Sequence, residues 1–233
     1  MKTGTEESIV RPRAVEGFGR PDLVCVPYDP VPDVLLAYVG KRALRERRLG
    51  GSGLFLLPEA AVLYGCLGAP AAVAGLEPLI ASGARRILVL SFCGSLRPGI
   101  RIGDAVSVSG AAADEGTSRR YLPGRRSFRP SAGFRRKTES RLETLGLPFL
   151  TARCVSTDAP YRETPSWHRS MSGKGVGVVD MEVSAVFALA EFRGVEAAAL
   201  LLVSDELFSG RWKVAAGRAV QGERIRKFFL PFL

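Results

Sequence analysis

Two short runs carry the acidic groups most able to do chemistry. Val176-Gly177-Val178-Val179 is an apolar strand pattern that turns through Asp180-Met181-Glu182 into a helical run, and Ala197 to Val203 is a second strand pattern followed by Ser204-Asp205. Carboxyl groups therefore stand where strands of an α/β sheet end, and ligands of such sheets bind outside those ends. Glu182 could accept hydrogen bonds from vicinal hydroxyls, or it could simply meet the positive end of a helix dipole for about 0.3–1 kcal/mol. Asp205 could act as a general acid, or it could cap the segment that follows it. A third region, Thr157 to Thr164, holds Tyr161 and Arg162, which could stack on a planar ring and donate to a carbonyl oxygen, or could form an ordinary turn.

The elements that must position these groups follow from periodicity and punctuation. Leu23 to Val26 reads as a buried strand stopped by Pro27-Tyr28-Asp29-Pro30, and Val34 to Arg47 as a helix. Strand signals recur at Gly53 to Leu57 and Ala61 to Cys66, then a helix over Pro70 to Ser82 closes at Gly83. Ile87 to Leu90 is a continuous apolar run of the kind covered on both faces, and Asp104 to Ser109 alternates as a half-buried strand does. Thr138 to Leu145 predicts a helix and Phe149 to Val155 a strand. Val183 to Phe192 predicts a helix capped by Gly194. Strand and helix alternate throughout, so the expected architecture is α/β: one domain over residues 21–233 with a mixed, largely parallel twisted sheet flanked by helices. Residues 1–20 lack periodicity and are expected to form a mobile arm. The apolar end of the chain, after Arg218, is expected to pack on the core or on a second subunit.

Composition narrows the class of function. Of the 233 residues, 46% are hydrophobic and 24% charged, a globular balance rather than a disordered one. No apolar run approaches the roughly 18–20 residues of a membrane span, and the N-terminus lacks the pattern of a secretory signal. A cytoplasmic protein with no membrane contact is expected. Cys25, Cys66, Cys93 and Cys154 each lie in or beside an apolar run and read as small buried hydrophobes, not as a disulfide set or a metal site. His168 is the single histidine, which speaks against a Ser-His-Asp triad built around another one. The net charge of +10 raises a nucleic-acid surface. Its arginines, densest in Arg119 to Arg141 and Lys41 to Arg48, fit a solvated face better, because the only interleaved aromatics are Tyr121, Phe128 and Phe134.

Taken in order, Gly94-Ser95-Leu96, Ile102-Gly103-Asp104, Asp114-Glu115-Gly116-Thr117-Ser118 with Tyr121, Thr157 to Thr164, Asp180-Met181-Glu182 and Ser204-Asp205 resemble the nucleoside phosphorylase family. Purine nucleoside and uridine phosphorylases and the related hydrolytic nucleosidases belong to that family. The resemblance implies a pentosyltransferase that breaks the bond between ribose and base with phosphate, yielding ribose 1-phosphate, through an oxocarbenium-like state. It implies ribose contacts from Met181 and Glu182, and an Asp205 that hydrogen-bonds or protonates the N7 nitrogen of a purine. It implies base contacts from Ser204, Tyr161 and Arg162, the last two leaning toward a pyrimidine, so the base stays open. Ser91, Gly94 and Ser95 are the candidates for phosphate. No metal or organic cofactor is implied, with inorganic phosphate as co-substrate, and a homo-oligomer, a dimer or hexamer, is expected.

The chain departs from the family pattern at phosphate. The run Tyr28-Asp29-Pro30-Val31-Pro32 lacks the glycine and arginine usual there, and Val89 and Phe92 replace a common arginine and hydroxyl. Arginines from Arg42 to Arg48 could substitute, from this chain or across a subunit interface. A nucleosidase using water, with Glu59, Asp29 or Glu115 as base, and a non-catalytic nucleoside binder are the competing readings.

Overall fold

Apolar runs that are buried on both faces become the strands, and their two faces are covered by different helices. The structure is a computed structural model that describes residues 8–18, 22–26, 33–58, 60–215 and 218–233, with the backbone alone for 26 and 218–221. The elements in chain order are β1 (Asp22–Val26), α1 (Asp33–Arg42), β2 (Arg45–Leu49), β3 (Ser52–Leu56), β4 (Ala60–Tyr64), α2 (Ala69–Ala81), β5 (Arg86–Ser95) and β6 (Ala105–Asp114). They continue with α3 (Ser118–Tyr121), β7 (Ser127–Phe128), α4 (Ala132–Thr144), β8 (Leu150–Thr157), α5 (Pro165–Gly173), β9 (Val176–Asp180), α6 (Val183–Arg193), β10 (Glu196–Glu206), β11 (Lys213–Val214) and α7 (Arg218–Phe228). The turn Tyr28 to Pro32 and Glu59 lie outside the described residues, as does the start of the N-terminal arm. Of the arm's described part, the Val15 amide donates to Ser82 Oγ at 2.7 Å and Phe18 is buried in the core.

The sheet is mixed, and its longest ladders are parallel: β5 with β10, and β6 with β8. It also closes on itself. β10 pairs with both β6 and β5, and β6, β8, β9 and β5 pair in succession, so five strands form a ring. From β5 the sheet runs on through β1, β4, β3 and β2. One face is packed by α2 and α6 through Val73, Leu76, Leu79, Val186 and Leu189. The other is covered by α1, α4 and α7 through Leu35, Leu142, Ile225, Phe228 and Phe229, which is the tail packing that the sequence predicts.

Most differences from the sequence reading are extensions. β5 runs on through Ser91 to Ser95, and β10 includes Ser204 and Asp205 instead of ending before them. One element changes type. The helix expected to Arg47 stops at Arg42, and Arg45 to Leu49 instead form β2, an antiparallel hairpin with β3 across Gly50-Gly51. Gly50 sits at φ 59°, a conformation that glycine adopts without Cβ strain, and paired glycines are a hairpin signal. Helix α5 was not legible as apolar periodicity, yet it has a start signal. Thr164 accepts the Trp167 amide at 3.3 Å and Pro165 occupies the first turn. Gly194 at φ 66° ends α6 as expected.

Candidate active site

The ends of β5, β9 and β10 meet beside the turn before α5 and enclose a cavity of about 400 Å³. That volume is in the range of small-molecule pockets, and the lining is mainly apolar with a few converging polar groups. Ser91, Gly94, Tyr161, Met181, Glu182, Ser204 and Asp205 all line it, although they come from four separate stretches of sequence.

The Asp180-Met181-Glu182 corner divides its work between the two acids. Asp180 Oδ2 accepts the amides of Glu182 at 3.0 Å and Val183 at 2.8 Å, fixing the start of α6. Its Oδ1 accepts from Ser156 Oγ at 2.6 Å and Cys154 Sγ at 3.2 Å. Asp180 is thus a structural carboxylate with four donors around it, and those donors partly offset the upward push of burial on its pKa. Glu182 is 2% exposed, and its Oε1 accepts the Gly68 amide at 2.6 Å. Gly68 sits at φ 88°, a backbone state that an L side chain strains to reach, and there it precedes α2 and donates its N–H to Glu182. Burial, and then the Asp180 charge, hold the Glu182 carboxyl well above its usual range. A developing cation or hydroxyl donors in the cavity would favour its ionised form.

The opposite wall is made by β10. Ser204 is an extra residue in the ladder with β5: Val203 faces Cys93 and Asp205 faces Gly94. Such a bulge re-aims the next side chain. Asp205 Oδ1 lies 2.7 Å from the Ser204 hydroxyl, and Oδ2 accepts the Trp212 indole N–H at 2.9 Å. Gly94 gives the carboxylate room, since a Cβ there would stand 3.0 Å from Asp205 Oδ2 and 2.5 Å from Leu207 Cδ1. Tyr161, 94% exposed, stands at the rim.

Three sequence candidates stand elsewhere. Ser95 is buried away from the cavity, its hydroxyl 2.6 Å from the Ile100 carbonyl in the turn after β5. Arg162 is exposed on the turn outside the cavity, while its neighbour Glu163 faces in. Glu115 accepts the amides of Thr117 and Ser118 and the Ser184 hydroxyl, so it organises the start of α3 and does not line the cavity. Asp29 and Glu59 lie outside the described residues. Val89, at the position of the missing arginine, is fully buried in the core, and Phe92 packs on Phe229. No arginine, lysine or histidine lines the cavity among the described residues.

Glu163 and Trp212 are the site residues that sequence reasoning missed. Glu163 was hidden because it lies in a turn, two residues before Pro165, and Trp212 because it lies beyond the strand end. The aromatics of the basic segment do not interleave as a base-stacking surface. Phe128 is fully buried, and Tyr121 packs edge-on against Phe192 while donating to Glu77. Among the described residues no cluster of His, Cys, Asp and Glu could hold a metal ion, all four cysteines are buried and unpaired, and no helix is long and apolar enough to cross a membrane.

Known proteins resemble this chain in sequence and in fold. A DeoD-type purine nucleoside phosphorylase of Caldanaerobacter subterraneus subsp. tengcongensis is 26% identical over 91% of this chain and 91% of its own length. A guanosine phosphorylase of Halorubrum lacusprofundi is 30% identical over 64% of this chain and 62% of its own. In fold, the chain is similar to the crystal structure of purine nucleoside phosphorylase from Toxoplasma gondii in complex with immucillin-H, with a TM-score of 0.75, 22% identity, and coverage of 94% of this chain and 92% of that one. It is also similar to AMP nucleosidase from Bacteroides thetaiotaomicron, with a TM-score of 0.70, 20% identity, and coverage of 80% and 81%. The model of the Phosphorylase superfamily matches residues 46–229, most of the chain and every described residue of the cavity wall, and the protein belongs to that superfamily.

Proposed function

We propose that the protein is a purine nucleoside phosphorylase, transferring ribose from a purine nucleoside to inorganic phosphate. The observation that carries this reading is that Glu182 and Asp205, far apart in sequence, line one largely apolar cavity together with Met181. In this reading Glu182 and Met181 hold the ribose. The buried carboxylate accepts from the vicinal hydroxyls and favours the positive charge that grows on the sugar as the glycosidic bond stretches, where the low dielectric strengthens the effect. Asp205 and Ser204 bind the base, with Tyr161 packing on it from the rim. In the same reading Ser91 and the Gly94 backbone, which line the cavity, hold the anion beside the sugar. A purine is favoured over a pyrimidine because Asp205 faces the cavity and Arg162 does not. The names of the relatives, purine nucleoside phosphorylase and guanosine phosphorylase, point the same way.

One observation favours a second reading, hydrolysis by water. The cavity is lined by carboxyl groups and, among the described residues, by no cation to hold phosphate. In the first reading the missing positive charge comes from a neighbouring copy of the chain, which fits an expected cytoplasmic homo-oligomer that uses no metal or organic cofactor. The test is to incubate the purified protein with purine and pyrimidine nucleosides, with and without phosphate, and to measure free base, ribose and ribose 1-phosphate. Phosphate-dependent ribose 1-phosphate from purine nucleosides is the expected result. Free ribose at a phosphate-independent rate would replace the first reading by the second, and no product from folded protein would leave a binder.

A further inference from the structure

Beside the candidate active site lies a second cavity of about 330 Å³, at the lower end of the small-molecule range, and nothing in the proposed reaction uses it. Glu163, Leu207 and Trp212 line both cavities and so form the partition between them. Trp212 ties that partition to the base wall, because its indole N–H donates to Asp205 Oδ2 at 2.9 Å. The walls beyond it are held in place. On one side Thr164 caps the start of α5, and Nε2 of the His168 ring lies 3.1 Å from the Leu96 carbonyl. On the other side is the loop after β10. The Leu207 amide anchors it to the Ser95 carbonyl at 2.9 Å, and the Gly210 amide closes it into a turn on the Leu207 carbonyl at 2.9 Å.

The two cavities differ in charge. The first is lined by Asp180, Glu182, Asp205 and Glu163 and, among the described residues, by no cation. The second presents Arg169 from α5 and Arg211 from the loop, and neither guanidinium has a hydrogen-bond or ion-pair partner among the described residues. Its one carboxyl among those residues is Glu163, which burial and then the Asp205 charge push up to about 7, so near neutrality it opposes an anion only in part. Guanidinium groups match carboxylates in shape and charge, two parallel N–H donors to two oxygens.

Resting on the function proposed above, we infer that the second cavity is a substituent subsite: it takes an acidic side chain carried on the exocyclic C6 nitrogen of a purine nucleoside, and Arg169 and Arg211 bind its carboxylates. In that pose Asp205 faces ring nitrogen N7. The C6 substituent is the neighbour of N7 on the purine rim, so it leaves the ring beside Asp205 and passes Trp212 into the second cavity. The sugar, held by Glu182 at the opposite wall, stays where it is. The substrate class is purine nucleosides whose 6-amino group bears an amino-acid-like or dicarboxylic chain, and the product is the equally modified free base. Plain purine nucleosides leave the subsite empty and react without it.

The experiment measures kcat/KM on inosine, on N6-butyladenosine, whose chain is uncharged, and on N6-(1,2-dicarboxyethyl)adenosine, whose acidic chain has the same number of carbons. Wild type should favour the acidic chain over the butyl chain by about tenfold or more, the worth of one charge-assisted hydrogen bond. The double variant Arg169→Ala, Arg211→Ala should lose that preference. It should keep inosine within about threefold of wild type, since both arginines are exposed and the inosine base does not reach them. A wild type that cleaves inosine but favours the butyl chain, or treats the two chains alike, overturns the subsite and leaves the proposed function standing. So does a double variant that keeps the preference, or that loses all three substrates equally. A folded wild type that cleaves none of the three overturns the proposed function, and the subsite with it.

Discussion

Glu182 and Asp205 line one cavity, yet the chain holds them by different means. Glu182 stands at the junction of β9 and α6, with its backbone fixed by Asp180 and its carboxylate by Gly68. Around it the structure is shut, and α6 is buried over its first eight residues. Asp205 stands on a strand bulge at the other wall. Its neighbours Tyr161 and Trp212 are 94% and 68% exposed and come from a turn and a loop. A rigid, desolvated end suits a part of the ligand that does not vary, such as a ribose. A wall of loop residues lets one fold accept different bases without disturbing the core.

Breaking the closed end should have the largest effect. Glu182→Gln keeps the volume and an acceptor for the Gly68 amide but cannot become an anion. We expect kcat/KM for purine nucleosides to fall roughly 10²–10³-fold, as when one group that stabilises transition-state charge is removed, with no loss of thermal stability. A loss under tenfold would show that charge at this position is not used.

Stability separates the ends next. Asp180→Ala leaves four donors unsatisfied in a buried site and should cost about 1–3 kcal/mol or more in denaturant unfolding. Asp205→Ala, at the open end, should unfold within about 0.5 kcal/mol of wild type while losing activity. Equal destabilisation of the two variants would erase the contrast.

A smaller effect is expected at the rim. Trp212→Phe removes the indole donor to Asp205 and keeps an aromatic ring. Loss of one such bond is worth about 1 kcal/mol, so kcat/KM should drop roughly fivefold with KM taking most of the change. No change would mean that the indole does not orient Asp205 in the working enzyme.

The smallest effect concerns pH and Glu163. Its carboxyl is raised from 4.5 to about 7, so between those values the folded state holds a proton that the unfolded chain has released. Stability from this group therefore falls as pH rises through that window, and the penalty is complete above about 7. Glu163→Gln removes the penalty. Its Tm should equal that of wild type at pH 4 and exceed it by about 2–4 °C or less at pH 8, since solvent partly screens the site. A Tm difference independent of pH would show that Glu163 is not the titrating group.

Local sequence determined a good deal of this molecule. The apolar run before Asp180, the helical run after it and the left-handed cap at Gly194 are local signals, and the structure keeps all three. The tail after Arg218 reads as core packing because it is too apolar to leave in water, and Phe228 and Phe229 are buried. Glu182 and Asp205 were legible as carboxyl groups at strand ends, where a site and a structural role were both open, and the family resemblance added Met181 and Ser204.

Tertiary structure decided the rest, because the interactions responsible join residues far apart in the chain. The closed ring depends on β10 pairing with both β5 and β6, which no strand pattern contains. Which acid of Asp180-Met181-Glu182 serves the fold was settled by Ser156 and Cys154 on β8, and which serves the cavity by Gly68 before α2. Arg45 to Leu49 looks helical in isolation but pairs with β3, since backbone ladder bonds across the Gly50-Gly51 turn outweigh a small propensity difference. Ser95 and Arg162 sit one residue from cavity-lining Gly94 and Glu163, yet they point elsewhere. In a strand or tight turn, successive side chains face opposite ways, so only the folded register tells neighbours apart.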